Sequence, residues 1–333
     1  MKIPFQTVYF DVVGTCNVRC SYCLTGSTKC RSTVMIGRDK FSEVLEKLVK
    51  GGLADSRSVL GLYNWGEPLL HPDLLGLVEM INKYGLRCSL STNGSIVPNI
   101  TKAFVQNLDH LIFSMPGFSQ KAYDRISKLE FGKVCQNIRV IVKRLHEVGY
   151  KGQISISYHL YRFNLEEMSL CSEFAQTQGI LFNPYNAILN DWYTLQKWVG
   201  NSLPQETAQK ISGELFCDNI RQLMAASPSG YSCPQWGYLV INENADVVTC
   251  CQLPPHESEY LCGNVCKDPV DRIIEQKEQR PVCKGCINSG LAYYLNNSLV
   301  TPEWYTEKQR NERRVTILSL WLDFRNWLLG ERK

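Results

Sequence analysis

The sequence predicts an α/β protein built on a parallel sheet that is open rather than closed, followed by a second, cysteine-rich unit. Three observations carry this. Strand-like and helix-like segments alternate through the first part of the chain, as right-handed βαβ units do. Six such units are too few for a closed eight-stranded barrel, which leaves a partial barrel or an open doubly wound sheet, both with function at the carboxyl ends of the strands. Near Asn190 the alternation stops, and cysteines become dense from Cys217 to Cys286. A chain of 333 residues suggests about two domains.

The elements follow in order. Residues 7–13 (TVYFDVV) are β-branched and aromatic and read as the first strand. Residues 41–50 carry apolar side chains at helical spacing, and Gly51-Gly52 stops them. Residues 58–63 form a short buried strand and residues 73–84 a helix with Gly85 beyond it. Residues 87–91 are a strand ending in the turn signal Thr92-Asn93-Gly94. Strands at 111–114 and 153–158, a helix at 132–148, and a helix at 165–178 closed by Gly179 continue the pattern, and residues 180–182 begin the sixth strand. Beyond it, residues 204–226 read as one or two helices, and short strands and turns fill the segment to Cys286. Residues 302–329 read as a helical tail with Ile317, Trp321, Phe324 and Leu328 on one face. The expected division is a barrel over 1–200, a cysteine-rich domain over 201–290 and a tail over 291–333.

Composition narrows the class of function. Apolar residues make up 44% of the chain and charged residues 20%, enough for a core that needs no staples. The formal net charge is +4, which gives no support to a nucleic-acid-binding surface. No apolar run reaches the roughly 18 residues of a membrane span, and the N-terminus has no secretory h-region. The expected compartment is the cytoplasm, where thiols stay reduced. Fifteen cysteines there point to metal rather than to disulfides.

The run Cys16-Asn-Val-Arg-Cys20-Ser-Tyr-Cys23 lies at the carboxyl end of the first strand. Three thiolates on a four-iron cubane leave one iron open, which suits a catalytic rather than a structural site. A zinc site would need a fourth ligand, and the nearest is Cys30. CxxxCxxC with an aromatic, Tyr22, before its last cysteine resembles the signature of the radical S-adenosylmethionine (SAM) superfamily. Gly66-Glu67-Pro68 at the end of the second strand is similar to the GGEP motif of that family, with Trp65 in place of its first glycine. Ser91-Thr92-Asn93 resembles the segment beside the ribose, and Ser114 ends the fourth strand as does a Ser of relatives that contacts the ribose or the carboxylate. The resemblance implies a partial (β/α)6 barrel and a [4Fe–4S] cluster on Cys16, Cys20 and Cys23. It also implies SAM bound at Tyr22, Gly66, Glu67, Pro68, Ser91, Thr92, Asn93 and Ser114, with Glu67 and the motif backbone holding the methionine amino group. An electron donor of the flavodoxin or ferredoxin type follows from it as well.

A second constellation comprises Cys233, Cys250 or Cys251, Cys283 and Cys286. Residues 233–251 read as strand, turn and strand, which brings their ends together. A zinc ribbon has the same spacing. The segment resembles the SPASM/twitch auxiliary domain of the same superfamily, and no cysteine follows Cys286, which implies one four-ligand [4Fe–4S] cluster of the twitch type and two clusters per chain. The glycine of the family turn is Ala245 here, which points to Cys250 as the ligand. Neighbours on a strand face opposite ways, so Cys251 is expected to be free to return a hydrogen atom to a substrate radical. Cys262 and Cys266 are further candidates near that site. Cys30, Cys88, Cys135, Cys171 and Cys217 read as core or incidental residues.

The implied activity is reductive cleavage of SAM to a 5′-deoxyadenosyl radical, followed by hydrogen abstraction from the substrate. Dehydrogenation would pass an electron to the auxiliary cluster; epimerisation would use a thiol such as Cys251. The cysteine loop begins at Cys16, leaving little chain ahead of it for a leader-binding module. That favours a small polar substrate, sugar- or aminocyclitol-like, over a peptide. The alternative is a zinc-dependent nucleic-acid-binding protein built on Cys233–Cys286.

Overall fold

The structure, a computed structural model, describes residues 4–27, 31–217 and 220–298. The expected helical tail at 302–329, and Cys30, lie outside the described residues. Six parallel strands appear in sequence order: β1 (Thr7–Phe10), β2 (Val59–Gly61), β3 (Arg87–Thr92), β4 (Leu108–Met115), β5 (Gln153–Leu160) and β6 (Leu181–Asn186). Each meets the next through a helical crossover, and the series is the partial (β/α)6 barrel that the sequence implies.

The alternation of side chains along each strand sets the two faces. Leu90, Leu111, Phe113, Ile154, Ile156 and Tyr158 are buried against the outer helices. Helix Arg38–Lys50 answers with Phe41, Val44, Leu45 and Leu48, four buried residues on one stripe. Phe41 stacks on Phe10 of β1 with ring centroids 5.3 Å apart. Each such side chain contributes about 1.5–3 kcal/mol by leaving water. Helix Phe131–Glu147 presents Val134, Ile138, Ile141, Val142 and Leu145 in the same way. The other strand face turns inward and is polar: His110 Nε2 lies 2.7 Å from Ser155 Oγ, and Ser114 Oγ lies 3.3 Å from His159 Nε2.

The cysteine-rich segment does not build a separate sheet. Strands β7 (Tyr238–Ile241), β8 (Asp246–Val248) and β9 (Leu261–Asn264) continue the barrel sheet in the order β6-β5-β4-β3-β2-β1-β7-β8-β9. β7 runs parallel to β1, from Thr7 opposite Tyr238 to Phe10 opposite Ile241, while β8 and β9 return antiparallel. The strand–turn–strand expected at 233–251 is the β7–β8 hairpin. Its turn closes with Ala245 in the left-handed region (φ 67°), its N–H donating to the Asn242 carbonyl. A β-carbon there costs about 1–2 kcal/mol.

Helices are more numerous than the sequence reading allows. Trp192–Val199 follows β6, Val270–Gln279 and most of Pro281–Asn288 occupy the segment expected to hold only strands and turns, and Leu291–Asn297 opens the stretch expected as the tail. The cause is sequence shortness: each is ten residues or fewer and mixes polar with apolar positions, so no long period stands out. Cys283 and Cys286 therefore sit one helical turn apart on one helix, on the same side.

Candidate active site and auxiliary thiol site

The loop leaving β1 carries Cys16, Cys20 and Cys23, all half-buried. Their thiols are close enough that charge on one raises the others, and burial pushes Cys16 up to about 11 and Cys20 and Cys23 upward as well. Only a cationic partner would favour all three as thiolates. Arg31 pins the loop: its guanidinium donates to the Thr25 carbonyl at 2.6 Å, Cys16 at 3.0 Å and Val18 at 2.6 Å. Its charge also favours thiolate at Cys20 and Cys23. Arg31 escaped the sequence reading, since a lone arginine in a loop carries no pattern.

The turn after β2 packs directly on that loop. A β-carbon on Gly66 would stand 1.9 Å from the Val13 carbonyl oxygen, so this glycine, rather than position 65, makes the close backbone approach. The Gly66 N–H donates to Asp11 Oδ1 at 2.9 Å, as do those of Asn64 at 2.9 Å and Trp65 at 3.0 Å. Asp11 is 3% exposed; burial outweighs these bonds and raises its carboxyl to about 7. It, too, was missed, because an acid inside a β-rich run reads as an ordinary strand residue.

Glu67 is spent on the protein itself. Its Oε1 accepts from Leu69 N at 3.1 Å and its Oε2 from Asn93 N at 2.8 Å, with the Thr92 hydroxyl also engaged. Burial raises it to about 7 against those bonds. Pro68 opens the short 3-10 turn Pro68–Leu70 beside it. Asn93 is the hub: its Nδ2 donates to Asn17 Oδ1 at 2.9 Å and approaches Cys16 Sγ at 3.7 Å. Thr92 Oγ1 accepts from Gly94 N, and Ser91 lies next to Thr92 on β3, opposite Ile112 of β4.

A cavity of about 660 Å3 opens at the carboxyl ends of the barrel strands. Cys20, Tyr22, Cys23, Asn93 and Ser114 line it; Cys16, Gly66, Glu67, Pro68, Ser91 and Thr92 are not in its wall. Tyr22 is fixed by its hydroxyl bond to Glu214, which also pairs with Arg125 at 2.8 Å. No Asp, Glu, Lys or Arg lines the cavity among the described residues. His159 in its wall is held neutral, with its pKa pushed down to about 4 by burial. Six buried side-chain polar atoms lack a hydrogen-bond partner among the described residues, and three of them belong to residues of this wall: Trp65 Nε1, Tyr123 Oη and Asn190 Oδ1. These atoms are closed off from the cavity space itself, and each costs about 1–3 kcal/mol when unmet.

A second cavity is lined by Cys233, Cys250, Cys283 and Cys286, with apolar walls from Trp192, Leu253, Val282 and Leu295. Charge on each of these thiols bears on the others. Cys262 and Cys266 are elsewhere: Cys262 Sγ lies 3.3 Å from Thr249 Oγ1 in the core, and Cys266 faces Glu43. Cys250 and Cys251 do not face opposite ways on a strand. β8 ends at Val248, the chain turns, and the two thiols meet in a hydrogen bond that lowers Cys250 to about 7 and raises Cys251. Only Cys250 is in the cavity wall; Cys251 Sγ lies 3.0 Å from Gln235 Oε1. Gln252 lines both cavities.

Neither thiol set is gathered around a single point. Zinc needs its sulfurs about 2.3 Å from a single point, and no three His, Cys, Asp or Glu side chains converge so among the described residues. In a cubane each thiolate binds a different iron, so the sulfurs stand further apart. No described helix is long and apolar enough to cross a membrane.

Known proteins agree with this geometry. The profile of the Radical SAM superfamily matches residues 11–173. A probable GTP 3′,8-cyclase of Methanothermobacter thermautotrophicus is 28% identical over 38% of this chain and 41% of its own length. An S-adenosylmethionine-dependent nucleotide dehydratase of Flammeovirga pacifica is 26% identical over 48% of this chain and 56% of its own. The chain thus spans about half the length of these relatives. Streptococcus suis SuiB bound to precursor peptide SuiA superposes with a TM-score of 0.54 at 15% identity, over 86% of this chain and 67% of that one. Native anSMEcpe with bound AdoMet does so at 0.53 and 14%, over 86% and 88%. At such identities the likeness speaks for the fold; the sequence match adds that residues 11–173 form a domain of the radical SAM superfamily, whose enzymes use SAM and an iron–sulfur cluster.

Proposed function

We propose that this enzyme abstracts hydrogen from a small, uncharged, polar substrate of the sugar type, and that it holds two [4Fe–4S] clusters. The observation that carries the substrate class is the cavity beside Cys20 and Cys23, whose wall holds no Asp, Glu, Lys or Arg among the described residues but several neutral polar side chains, among them Asn64, Ser114 and Asn183. A phosphorylated nucleotide would meet no cation in that wall, and a protonated amine no carboxylate. An aminocyclitol or a peptide segment fits less well for that reason. When bound, a reduced cluster supplies one electron to SAM, and the 5′-deoxyadenosyl radical that results takes the hydrogen.

The residues supply orientation and exclusion of water. Arg31 and Asn93 hold the cysteine loop, Gly66 and Asp11 lock the following turn against it, and Glu67 joins that turn to β3. Ser114, Tyr22 and Asn93 line the cavity and would bear on the cofactor bound there. Cys233, Cys250, Cys283 and Cys286 would hold the auxiliary cluster in a SPASM/twitch-like arrangement. Cys251, kept protonated by burial and by Cys250, is suited to return a hydrogen atom in an epimerisation; without that step the substrate loses a second hydrogen as proton and electron, a dehydrogenation. A flavodoxin- or ferredoxin-type donor in the cytoplasm would supply the reducing equivalents.

The test is anaerobic reconstitution followed by incubation with dithionite, SAM and a panel of neutral sugars, aminocyclitols and nucleotides. Neutral sugars should stimulate 5′-deoxyadenosine formation, and solvent deuterium in the product would mark epimerisation. Stimulation confined to phosphorylated or cationic compounds would overturn the substrate class.

A further inference from the structure

Lys277 sits on helix Val270–Gln279 and is 3% exposed. Its Nζ donates to the Thr249 carbonyl at 2.7 Å and lies 3.4 Å from that of Gln235. Thr249 precedes Cys250, and Gln235 lies two residues beyond Cys233, so the ammonium ties together the two segments that bring these thiols to the second cavity. No carboxylate pairs with it among the described residues. A buried cation costs several kcal/mol unless opposite charge compensates it. Carbonyl dipoles alone are weak compensation. The groups that can supply the opposite charge are the thiols of the second cavity, since the two carbonyls it meets lie one residue before Cys250 and two residues after Cys233.

We infer that Lys277 is the built-in counter-ion of the auxiliary site, a positioning residue whose positive charge balances an anionic four-thiolate iron–sulfur cluster and sets its reduction potential. The inference rests on the proposed reading of Cys233, Cys250, Cys283 and Cys286 as cluster ligands. Four thiolates outweigh the charge of the cluster core, so the assembly is a net anion. One-electron reduction adds a further negative charge. A nearby cation therefore stabilises the reduced form more than the oxidised one and raises the midpoint potential.

The experiment uses full-length protein carrying Cys16→Ala, Cys20→Ala and Cys23→Ala, so that only the auxiliary site reports. After anaerobic reconstitution, iron is counted and the midpoint is read by dithionite titration followed by electron paramagnetic resonance. Lys277→Gln keeps a donor for the Thr249 carbonyl but removes the charge; it should shift the midpoint to more negative potential, and Lys277→Arg should bring it back toward the parent value. An unchanged midpoint in Lys277→Gln with the cluster intact overturns the inference, as does Lys277→Arg behaving like Lys277→Gln. If Lys277→Gln takes up no iron, a loaded Lys277→Arg with the parent midpoint supports it, and failure of both variants to load assigns Lys277 to folding alone and overturns it. A parent protein that holds no iron refutes the cluster reading itself, separately from the role of Lys277.

Discussion

Gly66→Ala tests the contact on which the candidate active site depends. The new methyl would lie 1.9 Å from the Val13 carbonyl oxygen, whereas carbon–oxygen contacts in proteins run at about 3.3 Å or more. Both partners are backbone, so no side chain can swing away; the two loops must part by roughly 1.4 Å. The Gly66 N–H bond to Asp11, now 2.9 Å, and the Glu67 N–H bond to Thr15, now 3.0 Å, would both pass out of range. One is charge-assisted and worth about 1.5–3 kcal/mol, the other about 1 kcal/mol. The loss is therefore ~2.5–4 kcal/mol, or a fall in Tm of about 5–8 °C at roughly 2 °C per kcal/mol. Misplacing the turn by more than 1 Å should also cut SAM-dependent 5′-deoxyadenosine formation about 100-fold. Gly132→Ala, on a helix with nothing within 4 Å of the new carbon, is the control and should be neutral or slightly stabilising. The assays are differential scanning fluorimetry and chromatographic quantitation of 5′-deoxyadenosine. A Gly66→Ala protein with native Tm and native cleavage would refute the close-approach argument.

Asp11 and Glu67 both have carboxyl pKa values raised to about 7 by burial. The native state holds these protons more tightly than the unfolded chain does, so their stabilisation is complete below about pH 4 and is lost as pH rises through about 7; Asp11→Asn should flatten the Tm profile between those limits, and parallel profiles would count against it. Cys250→Ala should lose auxiliary iron while Cys251→Ala keeps both clusters and still cleaves SAM, as read by iron content and absorbance; the reverse outcome would exchange the two roles. Tyr123→Phe removes a buried hydroxyl that has no hydrogen-bond partner among the described residues, so it should leave Tm unchanged or raise stability by about 1 kcal/mol. A clearly lower Tm would show that the hydroxyl is bonded in the folded protein.

The sequence disclosed what is periodic or clustered. All six barrel strands and the long helices were legible because β-branched runs and three- to four-residue apolar spacing persist over enough residues to stand out. The first thiol set was legible because its three cysteines fall within eight residues, and the second through its resemblance to a known auxiliary domain. What stayed hidden depends on contacts between distant segments. Asp11 gains its role only when the turn at 64–66 arrives, and Arg31 only when three carbonyls gather around it. Lys277 reads as an ordinary surface lysine until the fold buries it. The pairing of β7 with β1 was also out of reach, since nothing in residues 238–241 says which edge they will join. The strand rule failed at Cys250 and Cys251 because hydrogen bonding to β9 ends just before them.

The pairing of β7 with β1 bears directly on how the two candidate sites relate. β1 delivers the loop with Cys16, Cys20 and Cys23, and its register with β7 is fixed residue by residue from Thr7 to Phe10. β7 in turn leads through the hairpin to Cys250. Asp11 continues this frame: its N–H donates to the Ile241 carbonyl at 2.9 Å while its carboxylate takes up the turn at 64–66. Glu243 in the hairpin turn meets His256 at 2.8 Å and abuts Gly14 of the cysteine loop. Main-chain bonds and buried polar contacts thus set the spacing between the sites, rather than a loose interface between two bodies. Asn64 and Gln252 then flank the passage: Asn64 Nδ2 reaches the Cys251 carbonyl at 3.5 Å, and both residues line the barrel cavity. A thiol at Cys251 is carried on that same frame. Its reach toward a substrate is therefore a property of β1 and β7, and substitutions that loosen their pairing should weaken any hydrogen return without touching a single cysteine.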